Sequence, residues 1–318
     1  MPPTQSPAPA IPSNQGLDGI PWTEASAPLL PRALRRTLGL PASLWRHREL
    51  WIAGSRRELQ GRLSGTVLGK AWPLVQPLAL FAVYYALFAR VFGMRFSAGK
   101  ESDAATTGVY LFLGVVVWSA FADSLARATL SFTERGELLK RVAFPAEVLP
   151  FQSIVAQHLL MLVGIACYVV VSLVMTFTQP IPTPSLSAIV LVPAILALQA
   201  LFTLGLALAT ATMHALLRDT IHLVGVLTAL WMFATPIFWI PSVSVLPGVE
   251  PFLPWLAWNP MHAFLSCWRY ALMSNAPSEA FTTSLSVSLG HAAAWTLVSL
   301  AVGGFLFALG ERRLPDEV

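Results

Sequence analysis

Few residues of this chain could do chemistry, and their spacing narrows the kinds. Asp123 and Arg127 stand four apart in an apolar stretch, so on a helix they share a face and can pair. Ionisable side chains inside a span are functional candidates, and near the end of a span they can equally snorkel to the interface. The densest charge cluster, SFTERGELLKRVAFPAEVLP over 131–150, holds Glu134, Arg135, Glu137, Lys140, Arg141 and Glu147. Glu137 and Arg141 are spaced as a helical pair, and Phe144-Pro145 ends that helix, because a proline pushes the residue before it out of helical geometry. Gly69-Lys70 invites comparison with a phosphate-binding loop. Counting back, the first glycine would fall at Ser64, and Ala71 after Lys70 cannot ligate magnesium, so the pattern does not fit. His158, His222 and His291 lack a metalloprotease pair or a nucleophile motif, and they read as packed or pore-facing. Cys167 and Cys267 lie far apart without metal-ligand spacing and read as packed thiols. No catalytic residue and no metal site is expected.

The elements that position these residues are set by the solvent. Of the 318 residues, 55% are apolar and 11% charged, with a mean hydropathy of +0.65. Soluble domains carry about 25% charged residues, so lipid surrounds most of this chain. A helix rises about 1.5 Å per residue and must cross about 30 Å of hydrocarbon. Apolar runs of that length are expected at 71–92, 106–130, 148–177, 186–213, 221–241 and 281–309. Arg32, Arg35, Arg36, Arg46, Arg48, Arg56, Arg57, Arg62 and Lys70 all precede the first run. The positive-inside rule then predicts cytoplasmic N- and C-termini. Membrane lipids, rather than nucleic acid, are the expected partners of these basic residues.

Residues 1–31 hold eight prolines, and the stretch 1–41 is expected to be a disordered tail. Residues 42–70 are expected to carry an interfacial amphipathic helix. Over 42–64, Leu44, Trp51, Ile52, Leu59 and Leu63 share one face, opposite Arg46, Glu49, Arg57 and Gln60, with Trp45 and Trp51 at headgroup depth. A soluble helix packed on a partner is the alternative. Residues 242–284 are apolar but broken by Pro247, Pro251, Pro254, Pro260 and Pro277. A full crossing there would put Arg312 and Arg313 outside, so a re-entrant outer hairpin is expected before the last span. The fold class is thus an all-α integral membrane protein of six transmembrane helices, with residues 71–310 as its membrane domain and 311–318 as a cytoplasmic tail.

Several landmarks occur in one order: Ser64, Leu68-Gly69, Trp72 and Pro77; Phe144-Pro145 and Leu149-Pro150; Arg218-Asp219; Thr235-Pro236-Ile237; and Asn259-Pro260 followed by Arg269. Together they resemble the ABC-2 type permease family, in its polysaccharide and teichoic-acid export branch, over about residues 45 to 312. The resemblance implies the membrane half of an ATP-driven exporter in the inner membrane. It implies a homodimer paired with two ATP-binding subunits, which hold the ATP and magnesium, so this chain binds no cofactor itself. The coupling contact would map onto Glu134, Arg135, Glu137, Leu138, Lys140 and Arg141. The cargo in this branch is a glycan on a polyprenyl pyrophosphate carrier.

Sugars stack their apolar faces on aromatic rings, and a conduit must release as well as hold. Phe81, Tyr84, Tyr85, Phe88, Tyr110, Trp118, Phe121, Trp231 and Phe238 are the translocation-path candidates; packing against lipid or neighbouring helices is the alternative for each. Arg56, Arg57 and Arg62 could meet a pyrophosphate or an ordinary anionic headgroup. Two further readings stand beside polysaccharide export. An ABC-2 exporter of small hydrophobic drugs or lipids would show less of the 42–64 helix and the hairpin. A proton-coupled secondary transporter would want mid-membrane carboxylates, and Asp123 is the acidic residue within a span.

Overall fold

The computed structural model describes residues 29–63, 103–141, 144–175, 182–311 and 313–317, with scattered residues between 69 and 93. In lipid a backbone must satisfy its own hydrogen bonds, and helices do so within one segment. The described chain is accordingly helical, with no strand among the described residues. Its elements are α1 (Leu29–Arg46), α2 (Arg48–Leu63), α3 (Asp103–Glu134), α4 (Gly136–Arg141), α5 (Val148–Met175), α6 (Ala188–Leu216), α7 (Thr220–Ala234), α8 (Pro260–Leu272), α9 (Leu285–Gly310) and α10 (Leu314–Glu317). Among the described residues, four helices are long and apolar enough to cross a membrane: α3, α5, α6 and α9. The first expected span, 71–92, lies largely outside the described residues.

The fifth expected span is shorter than 221–241. Helix α7 stops at Ala234, and Thr235 is extended, with φ −101° and ψ 138°. Pro236 imposes this, since its ring disfavours helical geometry at the residue before it. Residues 235–238 and 240–241 are buried all the same. Residues 242–284 contain single turns at Glu250–Phe252, Leu253–Leu256 and Ser278–Ala280 and one longer helix, α8. At 13 residues α8 is roughly 20 Å long and does not cross.

Aromatic rings from four elements fill the middle of the bundle. Phe121 on α3 lies 5.3 Å from Trp231 on α7 and 5.9 Å from Phe202 on α6, and Phe202 lies 5.2 Å from Phe264 on α8. Helices α6 and α9 approach more closely than any side chain would allow. A Cβ on Gly303 would overlap the Gly205 carbonyl, and one on Gly205 would strike the backbone of Ser299. Small residues permit this contact and hydroxyls join it, as is common between membrane helices. Ser299 Oγ donates to the Phe202 carbonyl at 3.0 Å, and Thr296 Oγ1 to that of Leu198 at 3.3 Å.

The N-terminal region departs most from expectation. Residues 29–41 are helical rather than disordered, and the single helix over 42–64 is two, divided at His47. Helix α1 buries Leu40 and Leu44, and Thr37 sits in the notch left by Gly304 of α9. Helix α2 rests on the first turns of α5, with the Trp51 ring edge-on to Phe151 at 5.2 Å. Its buried face is therefore Trp51, Ser55 and Glu58, while Ile52 stays half exposed. Helices α1, α2 and α10 all lie at the end of the bundle where α3 finishes and α5 begins. The turn at 182–185 and the start of α9 lie at the other end.

Candidate functional site

Two polar sites are built into this apolar frame. The first joins the charged elbow between α3 and α5 to the N-terminal helices. Arg135 occupies the turn between α3 and α4, and its Nη2 lies 3.7 Å from Glu58 Oε2 on α2. Glu58 Oε2 also accepts from Ser153 Oγ at 2.8 Å, and the side-chain amide of Gln152 faces the same guanidinium. Ser55 Oγ donates to the Gln152 carbonyl at 2.8 Å. Gly54 makes room for this contact, because a side chain there would meet Gln152. Ser43 Oγ on α1 donates to buried Glu147 Oε1 at 2.5 Å. The elbow is thus tied to both α1 and α2. With Arg135 turned inward, Glu134, Glu137, Leu138 and Lys140 face out.

The second site secures the unwound segment after α7. A non-helical backbone inside an apolar bundle leaves carbonyls that cost several kcal/mol each unless paired. The Pro236 carbonyl accepts from Arg269 Nη2 at 2.8 Å and from the Tyr110 hydroxyl at 3.1 Å. The same hydroxyl reaches the Trp239 carbonyl at 3.1 Å. Asn259 caps α8 by accepting from the backbone N–H of Met261 and His262. Its amide donates to Thr235 Oγ1 at 3.0 Å and to the Ala234 carbonyl at 3.3 Å, while Trp231 Nε1 donates to it at 2.9 Å. Arg269 is 1% exposed, and burial lowers its pKa. Gly114 on α3 leaves the space for its guanidinium. The landmarks Thr235-Pro236, Asn259-Pro260 and Arg269 are therefore one cluster in space.

The expected site residues are placed as follows. Tyr110, Trp118, Phe121 and Phe238 are buried inside the protomer, and Trp231 is half-buried among them. Phe81, Tyr84, Tyr85 and Phe88 lie outside the described residues. Arg56 and Arg57 are exposed, while the side chains of Arg62 and Arg141 lie outside the described residues. On α3, Asp123 is half-buried and Arg127 is exposed. Residue order alone does not mark Glu58, Gln152, Gly114, Gly205 or Gly303 as site residues. For Glu58 the available signal was a carboxylate three residues after Ser55 on a helix of basic residues. The glycines gave none, because their facing backbones are remote in sequence.

A helical chain with several membrane-length helices and a charged elbow braced at one end defines a multi-pass membrane protein. The chain belongs to the ABC-2 type transporter family, whose model matches residues 49–273, from the start of α2 to just past α8. It is similar to the O-antigen export system permease protein RfbA of Myxococcus xanthus, at 30% identity over 72% of this chain and 82% of that protein. It is also similar to two Klebsiella pneumoniae proteins of the same name. These are 27% and 25% identical over 71% and 76% of this chain, and over 81% and 86% of their own lengths.

Proposed function

We propose that this chain is the permease subunit of an ATP-driven exporter that moves a lipid-linked polysaccharide, of O-antigen, capsule or teichoic-acid type, across the inner membrane. The observation that carries this reading is the likeness to O-antigen export permeases over four-fifths of their length. Two copies pair with two separate ATP-binding subunits, and ATP and magnesium reside on those subunits. The end bearing α1, α2, α4 and α10 faces the cytoplasm; its concentration of arginines supports this assignment. The outward face of the elbow, Glu134, Glu137, Leu138 and Lys140, receives the partner. Arg135 passes the push through Glu58 and Gln152 into α2 and α5. The exposed Arg56 and Arg57 are placed for carrier or lipid phosphates at that face.

The test is deletion of the gene in its host, followed by complementation. Surface polysaccharide is expected to vanish and to return when this chain is supplied again to a host that keeps its own ATP-binding subunit. Persistence of the polymer, or ATP hydrolysis by the purified chain alone, would overturn the reading.

A further inference from the structure

A cavity of about 450 Å³ opens at the end of the bundle away from α1 and α2. That volume lies within the about 300–1,000 Å³ of small-molecule sites. Pro241, Leu253 and Leu256 give it an apolar wall, and Ser244, Thr282 and Thr283 supply hydroxyls. His262 completes the lining from α8. Its ring is 5% exposed, with Nε2 2.8 Å from Thr282 Oγ1 and a buried Nδ1 that has no partner among the described residues.

The lining chemistry selects the ligand. None of the described lining residues is a carboxylate, lysine or arginine, so neither a cation nor a phosphate finds a counter-charge. Arg269, on the same helix, is already committed to the Pro236 carbonyl. A purely apolar ligand would leave the imidazole Nδ1 dry and unpaired, at a cost of about 1–3 kcal/mol, while the Thr282, Thr283 and Ser244 hydroxyls keep their partners His262, Ser288 and Ser242. A hydroxyl both donates and accepts, so it satisfies Nδ1 in either tautomer. A sugar ring brings such hydroxyls on its edge and a C–H face for Pro241, Leu253 and Leu256.

We propose that this cavity is a binding site for one or two neutral sugar units, held by His262, Thr282 and Thr283. As a resting place for exported polymer it rests on the export reading above; as a sugar site it stands without it. The turn that supplies Leu253 and Leu256 points Phe252, Trp255 and Trp258 outward, each 62–73% exposed. Such rings settle at headgroup depth, which sets the cavity at the level where polymer leaves the membrane.

The test uses the full chain, purified into nanodiscs, with Ser244→Cys inside the cavity and Ser278→Cys at the same end as a control. Maleimide labelling is timed with and without neutral disaccharides and neutral oligosaccharides released by hydrolysis of the host's surface polysaccharide. The wild-type chain gives the background from Cys167 and Cys267. At least one saccharide is expected to slow labelling of Ser244→Cys threefold or more and to leave Ser278→Cys unchanged. His262→Phe in the Ser244→Cys background is expected to remove that protection. Equal rates with every saccharide, equal protection at both positions, or protection by pyrophosphate alone would overturn the site. Loss of the site would leave the deletion result untouched, and an intact surface polymer after deletion would leave the labelling result untouched, so the two readings fail separately.

Discussion

The guanidinium carbon of Arg269 stands 3.3 Å from the centroid of the Tyr110 ring, and both side chains donate to one carbonyl, that of Pro236. The ring face attracts the cation, and in a dry site that attraction reaches about 2 kcal/mol or more. Tyr110→Phe keeps the ring but takes the donor from the Trp239 carbonyl, and should cost about 1–2 kcal/mol. Tyr110→Leu removes the ring as well and should cost about 3 kcal/mol or more, since it strands a buried cation. Adding Arg269→Met to Tyr110→Leu should recover part of that loss. Unfolding temperatures of the four proteins in nanodiscs check the order; a double variant less stable than Tyr110→Leu would refute it.

The Arg135–Glu58 contact predicts compensation. Arg135 is 29% exposed and Glu58 only 9%, so the inner partner suffers more from reversal. Arg135→Glu and Glu58→Arg should each lower polysaccharide export several-fold, with Glu58→Arg the more severe. The exchanged pair should restore much of it. Surface polymer per cell, normalised to permease content, is the readout, and export unaffected by either single reversal would detach α2 from the elbow's role.

Gly205 and Gly303 should tolerate no side chain. Gly205→Val and Gly303→Val each force α6 and α9 apart, and neither facing group is a flexible side chain that could yield. Folded yield after detergent extraction should collapse for both. Gly290→Val, on the same α9 with open space around it, should behave as wild type.

Acid should weaken the end of the bundle that holds His262. Burial pulls its pKa from the usual 6.5 down to about 3, and Arg269 and His291 push in the same direction. From roughly pH 6.5 to 3 the unfolded chain takes up a proton that the folded chain refuses, so stability falls as pH drops through that window. The unfolding temperature should therefore decline between about pH 7 and about pH 5. His262→Gln should make the decline shallower, and an unchanged slope would dismiss the effect.

Much of the frame is legible from residue order alone. Apolar runs and prolines locate α3, α5, α6 and α9 to within a few residues, and Phe144-Pro145 marks the end of the elbow. What escapes is whatever depends on partners distant in the chain. Pro236 announces a break, yet Tyr110 and Arg269, which make that break tolerable, lie 126 and 33 residues away. Trp118 and Phe121 read equally as path or packing from spacing, and only the facing Trp231 and Phe202 show them inside one protomer. In the N-terminal region, eight prolines outweigh the quieter signal of Leu40 and Leu44, four apart, which is the face that docks.

Where Gly205 meets Gly303, main chain presses on main chain with no cushion of methyl groups between. Two rods in such contact can scissor about the crossing, because nothing protrudes to obstruct rotation. They cannot slip lengthwise, since Thr296 or Ser299 would then ride up onto the opposite backbone. A scissoring of α6 against α9 therefore turns about a fixed fulcrum, and their two pairs of ends spread or close together.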